Sequence, residues 1–256
     1  WQSGWMSGYW SYHTKDDIAD EFEYSNFGIA SRQLQNGSVD GWGYQIGWES
    51  WTGMVPRAPY MAAPMPETGF TFDNIKYWIG SGSNQTALAI KWNNWKKDDG
   101  FVWGYRWDGD KTVLEMLKDI AKTDERLYLL LCEEAEVILG GIAFDIDGKK
   151  TNGLVYKGNT TYPLYPEKGI VYVKKNAADY DSYAIIDKSD YWSAGRESLG
   201  IWEHWTKRNG SGSFTKSSGN IMEEQLGDEI GNGLNFDDVF GGSQMTDKLM
   251  AVSPYE

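Results

Sequence analysis

Cysteine is nearly missing from this sequence: Cys132 is the only one in 256 residues, so no disulfide can form within the chain. It follows Leu129-Leu130-Leu131, an apolar run in which an inert buried thiol is the usual outcome. Export is not excluded, because a chain of this length buries roughly 70–75% of its unfolded surface and can stand on its core. Histidine is as scarce, with only His13 and His204 to serve as imidazole ligands. Basic charge is short as well, at 24 Lys and Arg against 37 Asp and Glu, a formal charge of −13. That balance lacks the phosphate-neutralising surface of a nucleic-acid binder and disfavours an anionic membrane face. No apolar run approaches the roughly 20 residues that span a bilayer, so direct membrane insertion is not expected.

Aromatic residues are what the chain has in excess: 14 Trp, 16 Tyr and 9 Phe, 15% in all. They fall in a repeat. Trp10 and Trp202 stand 192 residues apart (202 less 10), and the same offset pairs Thr14 with Thr206, Lys15 with Lys207, Phe22 with Phe214, Ser25 with Ser217, Leu34 with Leu226 and Gly41 with Gly233. Ungapped agreement over this span reads as two copies of one supersecondary unit. The copies set His13 against Trp205 and His204 against Tyr12, so the two histidines are not expected to share a metal.

Residues 1–52 hold short aromatic runs broken by Asn36-Gly37 and Asp40-Gly41, which is strand-and-turn chemistry. Four of the seven prolines lie between Met54 and Pro66, and residues 53–67 read as an extended linker. Ala87–Asn93 and Phe101–Trp107 read as a hairpin, and Gly80-Ser81-Gly82-Ser83-Asn84 as a turn, since no Lys-Ser/Thr ending makes it a phosphate loop. After Asp110, taken as N-cap, Val113, Leu114, Leu117, Ile120 and Ala121 form one apolar stripe of a helix running to about Thr123. Strands are expected at 127–132, 141–146, 154–157, 169–174 and 183–186, and a short helix around 221–226. The tail, 241–256, shows no clear pattern. The fold class is therefore α+β and β-rich, and the start at Trp1 reads as a piece trimmed from a longer protein.

Catalytic motifs are thin. There is no Gly-x-Ser-x-Gly and no His-Glu-x-x-His. Glu133-Glu134 and Glu223-Glu224 read as solvated faces before they read as glycosidase pairs. Asp145-Ile146-Asp147-Gly148 begins like a calcium loop, but the later ligands are not at the expected spacing, so it reads as a turn with no metal. Ring density is the remaining signal. Trp103, Tyr105 and Trp107 alternate onto one strand face, while Tyr191-Trp192, Trp202 and Trp205 cluster within a short stretch. Such rings suit a large flat amphipathic ligand, and a sugar ring would use them equally.

Gly109-Asp110-Lys111-Thr112-Val113-Leu114-Glu115-Met116-Leu117, Tyr191-Trp192 through Trp202-Glu203-His204-Trp205, and Gly231-Asn232-Gly233-Leu234-Asn235-Phe236 together resemble the transcobalamin C-terminal-like domain, a small β-grasp-related module. The resemblance implies tandem β-grasp-like modules, each with a helix packed on a mixed or antiparallel sheet. On that reading 1–52 is the C-terminal half of a first module and 68–240 a complete, expanded second one. In its acidic, aromatic style the chain is similar to Bacteroidota surface lipoproteins that bind corrinoids. The resemblance implies cobalamin or a related corrinoid as ligand, held by Tyr191, Trp192, Trp202, His204 and Trp205, with Trp10, Tyr12 and Trp42 as first-copy counterparts and Trp103, Tyr105 and Trp107 nearby. It implies a non-enzymatic protein needing no cofactor, exported to the cell surface, lipid-anchored upstream, and delivering corrinoid to an outer-membrane transporter. A carbohydrate-binding or adhesion module is the alternative. Because Trp10/Trp202 and Phe22/Phe214 recur as pairs, they are expected to be structural, with function at His204, Trp205 and Trp192.

Overall fold

The structure, a computed structural model, describes residues 8–17, 21–26, 28–35, 38–46, 56, 61–64, 71–75, 77–92, 100–133, 137–148, 154–156, 169–174, 183–185, 187, 189–194, 201–208, 214–218, 221, 224–227 and 229–237. The chain divides into two compact units, Trp1–Ala58 and Pro59–Glu256.

The first unit is an antiparallel meander in the order β2-β1-β3, built from β1 (Gly8–Lys15), β2 (Glu23–Tyr24) and β3 (Val39–Ile46). Strand alternation divides its side chains between two faces. Ser11, His13 and Lys15 are buried on one, where His13 meets Tyr24 edge-on and Lys15 lies over Phe22. Gly41 belongs to this face, and a Cβ there would fall 2.7 Å from Pro56 Cγ. Trp10, Tyr12, Trp42 and Tyr44 occupy the other.

The second unit contains the same meander: β14 (Ile201–Arg208), β15 (Thr215–Lys216) and β16 (Glu229–Asp237). Its register is that of the first unit displaced by 192. Trp10↔Tyr44 maps onto Trp202↔Phe236, Tyr12↔Trp42 onto His204↔Leu234, and Thr14↔Glu23 onto Thr206↔Thr215. Even a connecting bond repeats, for Ser25 N donates to Tyr12 O and Ser217 N to His204 O, both at 2.9 Å. A shared register requires a shared inward face, since a one-residue slip would turn every side chain over.

In the second unit this meander is part of a larger sheet. β16 runs parallel to β6 (Asn84–Lys91), which forms the expected hairpin with β7 (Gly100–Trp107). β4 (Ala63–Pro64) and β5 (Trp78–Gly80) both pair with the far edge of β7. A second sheet holds β8 (Leu127–Glu133), β9 (Val137–Phe144), β11 (Ile170–Lys174) and β13 (Tyr191–Ala194) in the order β11-β8-β9-β13. A separate pair joins β10 (Leu154–Tyr156) to β12 (Tyr183–Ile185). Helix α1 (Val113–Thr123) buries Val113, Leu114, Met116, Leu117, Ile120 and Ala121. The core beside it is aromatic: Trp92, Phe101, Trp103, Phe144 and Tyr191 pack ring on ring, with Phe101 and Phe144 centroids 4.7 Å apart. The opposite sheet face carries Ile75, Ala87, Ala89, Val102 and Phe214, with Phe72, Trp78 and Trp205 against them.

Several expectations need correction. The N-cap of α1 is Thr112 and not Asp110, because Thr112 and Glu115 form a reciprocal capping box that satisfies two N–H groups at once. No helix appears around 221–226 among the described residues. Instead, Leu114 N donates to Ile221 O, Val113 N to Glu224 O, and Leu226 N to Lys111 O. The proline-rich stretch is more than a linker, for Met61 and Ala62 are buried and Ala63–Pro64 pair with β7. The tail 241–256 lies outside the described residues.

Candidate functional site

Most ring positions proposed from sequence are spent on the core of the second unit. Trp103, Tyr105 and Trp107 are buried, because α1 covers the strand face on which they alternate. Trp103 Nε1–H donates to Asp124 at 2.7 Å, and the Tyr105 hydroxyl donates to Asp119 at 2.7 Å. Burial, reinforced by the Asp119 carboxylate, raises the Tyr105 phenol well above its usual range. Tyr191 is buried against Trp92 and Phe101. His204 is buried, with Nδ1 2.9 Å from Glu224 Oε2. Trp202 is half-buried, edge-on to Trp92, with Nε1–H donating to Ser193 O at 3.3 Å. Trp192 is half-buried against Gly141, where a Cβ would come within 2.5 Å of its ring, and Trp205 packs on the Ala87–Val102 cluster. Of the three positions where function was expected, His204 is buried, and Trp192 and Trp205 are half-buried against core neighbours, so packing accounts for all three.

The equivalent face of the first unit is open. Trp10 is 57% exposed and Trp42 47%, while Tyr12 and Tyr44 are half-buried beside them. Tyr12 and Trp42 stack with centroids 5.1 Å apart and an interplanar angle of 23°; Trp10 and Tyr44 lie 5.2 Å apart and tilted. The two pairs sit two residues apart along their strands, which places them about 7 Å from one another on one surface. Polar groups close one end. The Tyr12 hydroxyl donates to Asp40 at 2.6 Å, and Arg32 Nε donates to the other Asp40 oxygen at 3.2 Å. Arg32 is itself fixed by Asp16 at 2.7 Å and by Lys15 O at 3.0 Å. Desolvation, with the Asp40 contact added, holds the Tyr12 phenol above its ordinary value, so it remains a donor. Sequence reasoning found Trp10, Tyr12 and Trp42. It missed Tyr44, Asp40 and Arg32, although the repeat offset sets Tyr44 against Phe236 and Asp40 against Asn232.

Two polar clusters in the second unit have a structural explanation. Asp145, Asp147 and Asp190 bring carboxylate oxygens within 4.8 Å of one another, a hard-oxygen set of the kind divalent cations use. The same groups build the turn: Gly148 N donates to Asp145 at 2.6 Å, Ile146 N to Asp190 at 3.0 Å, and Arg126 Nη1–H to Ile146 O at 2.8 Å. Burial and then the neighbouring Asp145 push the Asp190 carboxyl up to about 7. In the other cluster Ser217 Oγ donates to the Glu224 oxygen that also meets His204. That order aims the hydroxyl at a carboxylate and not at the imidazole, so it does not form a nucleophile–base pair.

Compared with protein-family models, curated proteins and solved structures, the chain matches none. No described helix is long and apolar enough to cross a membrane.

Proposed function

We propose that this chain is a non-enzymatic binding protein and that its site is the ring face formed by Trp10, Tyr12, Trp42 and Tyr44. The observation that carries this reading is the exposure of Trp10 and Trp42, at 57% and 47%, on a strand pair whose other face is buried. Exposed rings in register, next to a hydrogen-bonded carboxylate and guanidinium, suit a flat ligand with a polar rim. Cobalamin or a related corrinoid is the proposed ligand. Its macrocycle would lie on the rings, and its peripheral amides would meet Asp40 and Arg32. With the tandem β-grasp-like organisation that the resemblance implies, the role would be capture at the cell surface and delivery to an outer-membrane transporter.

A second reading, carbohydrate binding or adhesion, is favoured by one feature. The near-parallel Tyr12–Trp42 stack ends at the Tyr12–Asp40–Arg32 group, so a sugar could place C–H bonds on the ring and hydroxyls on the carboxylate.

Titration with cyanocobalamin, followed by tryptophan quenching and co-elution of the red chromophore, tests the first reading. Saturable binding that is lost in the Trp10→Ala, Trp42→Ala double variant supports it, and no binding at micromolar ligand rejects it. Retention on a glycan array that depends on Trp42 would support the second reading instead.

A further inference from the structure

The rim of the ring face is charged, and its groups are committed unequally. Asp40 lies on the same face of β3 as Trp42, two residues along the strand, which sets the two side chains about 7 Å apart at the end of the Tyr12–Trp42 stack. Arg32 beside it is half-buried, and all three of its side-chain nitrogens are engaged: Nε–H donates to Asp40, Nη1–H to Asp16 and Nη2–H to Lys15 O. A carboxylate ligand is held best by two parallel N–H groups of one guanidinium, and here each such pair is already in use. Asp40 is the opposite case. One of its oxygens accepts from Tyr12 and the other from Arg32, so each keeps a further lone pair for an incoming donor. Two carboxylates, Asp16 and Asp40, share the one guanidinium, which leaves an excess of formal negative charge at this end of the face.

The meander does not need this arrangement. At the offset of 192 the second copy has Glu224 in place of Arg32 and Asn232 in place of Asp40, and it keeps the register. The acceptor-rich rim therefore accompanies the exposed rings of Trp10 and Trp42 and is not a requirement of the strands that carry them.

We propose that Asp40 sets the specificity of the ring face: it admits flat ligands whose rim is neutral and donates hydrogen bonds, as primary amides and hydroxyls do, and turns away the same rings carrying a carboxylate. This rests on the ring face being the binding site, and not on the ligand being a corrinoid. An amide N–H gains a charge-assisted bond to Asp40, whereas a carboxylate in the same place meets like charge with no guanidinium fork to offset it. Applied to a corrinoid, the rule favours intact peripheral amides over hydrolysed ones.

A matched pair of probes, 2-naphthamide and 2-naphthoate, shares one ring system and differs in charge. Each is titrated into the intact chain at pH 7, with binding read from the indole N–H resonance of Trp42, assigned by its loss in Trp42→Ala. The amide should saturate with a Kd of about 1 mM, and the carboxylate should bind at least about tenfold more weakly. Asp40→Asn should bring the two within about threefold. In the wild-type chain, which needs no variant to fold, about 0.5 M NaCl should narrow the gap because it screens like charges. Naphthoate binding as tightly as the amide, a gap that neither salt nor a folded Asp40→Asn variant narrows, or no shift of Trp42 by the amide overturns the proposal. Amide preference without cyanocobalamin binding rejects the corrinoid alone, and cyanocobalamin binding without amide preference rejects the specificity rule alone.

Discussion

Trp202 meets Trp92 edge-on, with ring centroids 6.2 Å apart, and this contact separates two positions that are otherwise equivalent. Trp10 holds the equivalent place in the register of its own meander, opposite Tyr44, and is 57% exposed. A ring in a packed aromatic cluster contributes to stability through dispersion and removal from water, and an exposed one contributes little.

The two truncations should therefore part company. Trp202→Ala is expected to cost about 2–4 kcal/mol, measured by urea unfolding, because it opens a cavity beside Trp92. Trp10→Ala should cost about 0.5 kcal/mol or less by the same measurement. Equal losses would mean that Trp10 is also part of a core.

Asp124 gives the fold a pH dependence. It is fully buried, and desolvation raises its carboxyl from 3.8 to about 6 against the opposing bonds from Trp103 Nε1–H and Arg126 N. Between those values the folded chain holds a proton that the unfolded chain has lost. The contribution to stability is therefore greatest below about pH 4, falls by about 2–3 kcal/mol as pH rises to 6, and is flat beyond. Trp103→Phe removes the donor and puts a smaller ring in a fully buried place, so a packing loss common to every pH adds to the partner that the ionised carboxylate loses. The variant's loss of stability should be larger at pH 8 than at pH 4 by about 1–3 kcal/mol. A loss independent of pH would show that ring shape, and not the hydrogen bond, is what matters.

Asp190 acts with the same sign over a wider range. Its carboxyl rises from 3.8 to about 7, through burial first and the charge of Asp145 second. Ionisation in the folded chain is unfavourable, so stability falls as pH rises from about 4 to 7. Asp190→Asn keeps an oxygen to accept from Ile146 N while removing the charge. Thermal melts should give the variant a higher Tm than wild type at pH 8, and the two should converge at pH 4. A lower Tm for Asp190→Asn at pH 8 would show that the ionised group is stabilised by a partner.

How much of this was legible in the sequence depended on whether the signal was local. The amphipathic stripe from Val113 to Ala121 and the Ala87–Trp107 hairpin could be read because periodicity and turn residues lie within a few positions of one another. The true cap at Thr112 was obscured because Asp110, two residues earlier, is just as good a capping residue. Alternation placed Trp103, Tyr105 and Trp107 on one face, but it could not say that α1 would cover that face. Segment 221–226 has helix-compatible residues, yet its backbone is used by the start of α1, a contact made across more than a hundred positions.

The sequence by itself determined that one meander occurs twice in a single register, because an ungapped offset of 192 preserves the inward alternation and the turns together. Only the tertiary structure decided which copy has the more exposed rings. Whether a ring is core or surface depends on what the chain folds against it, and Trp92 reaches Trp202 from 110 residues away (202 less 92), while Trp10 stays 57% exposed.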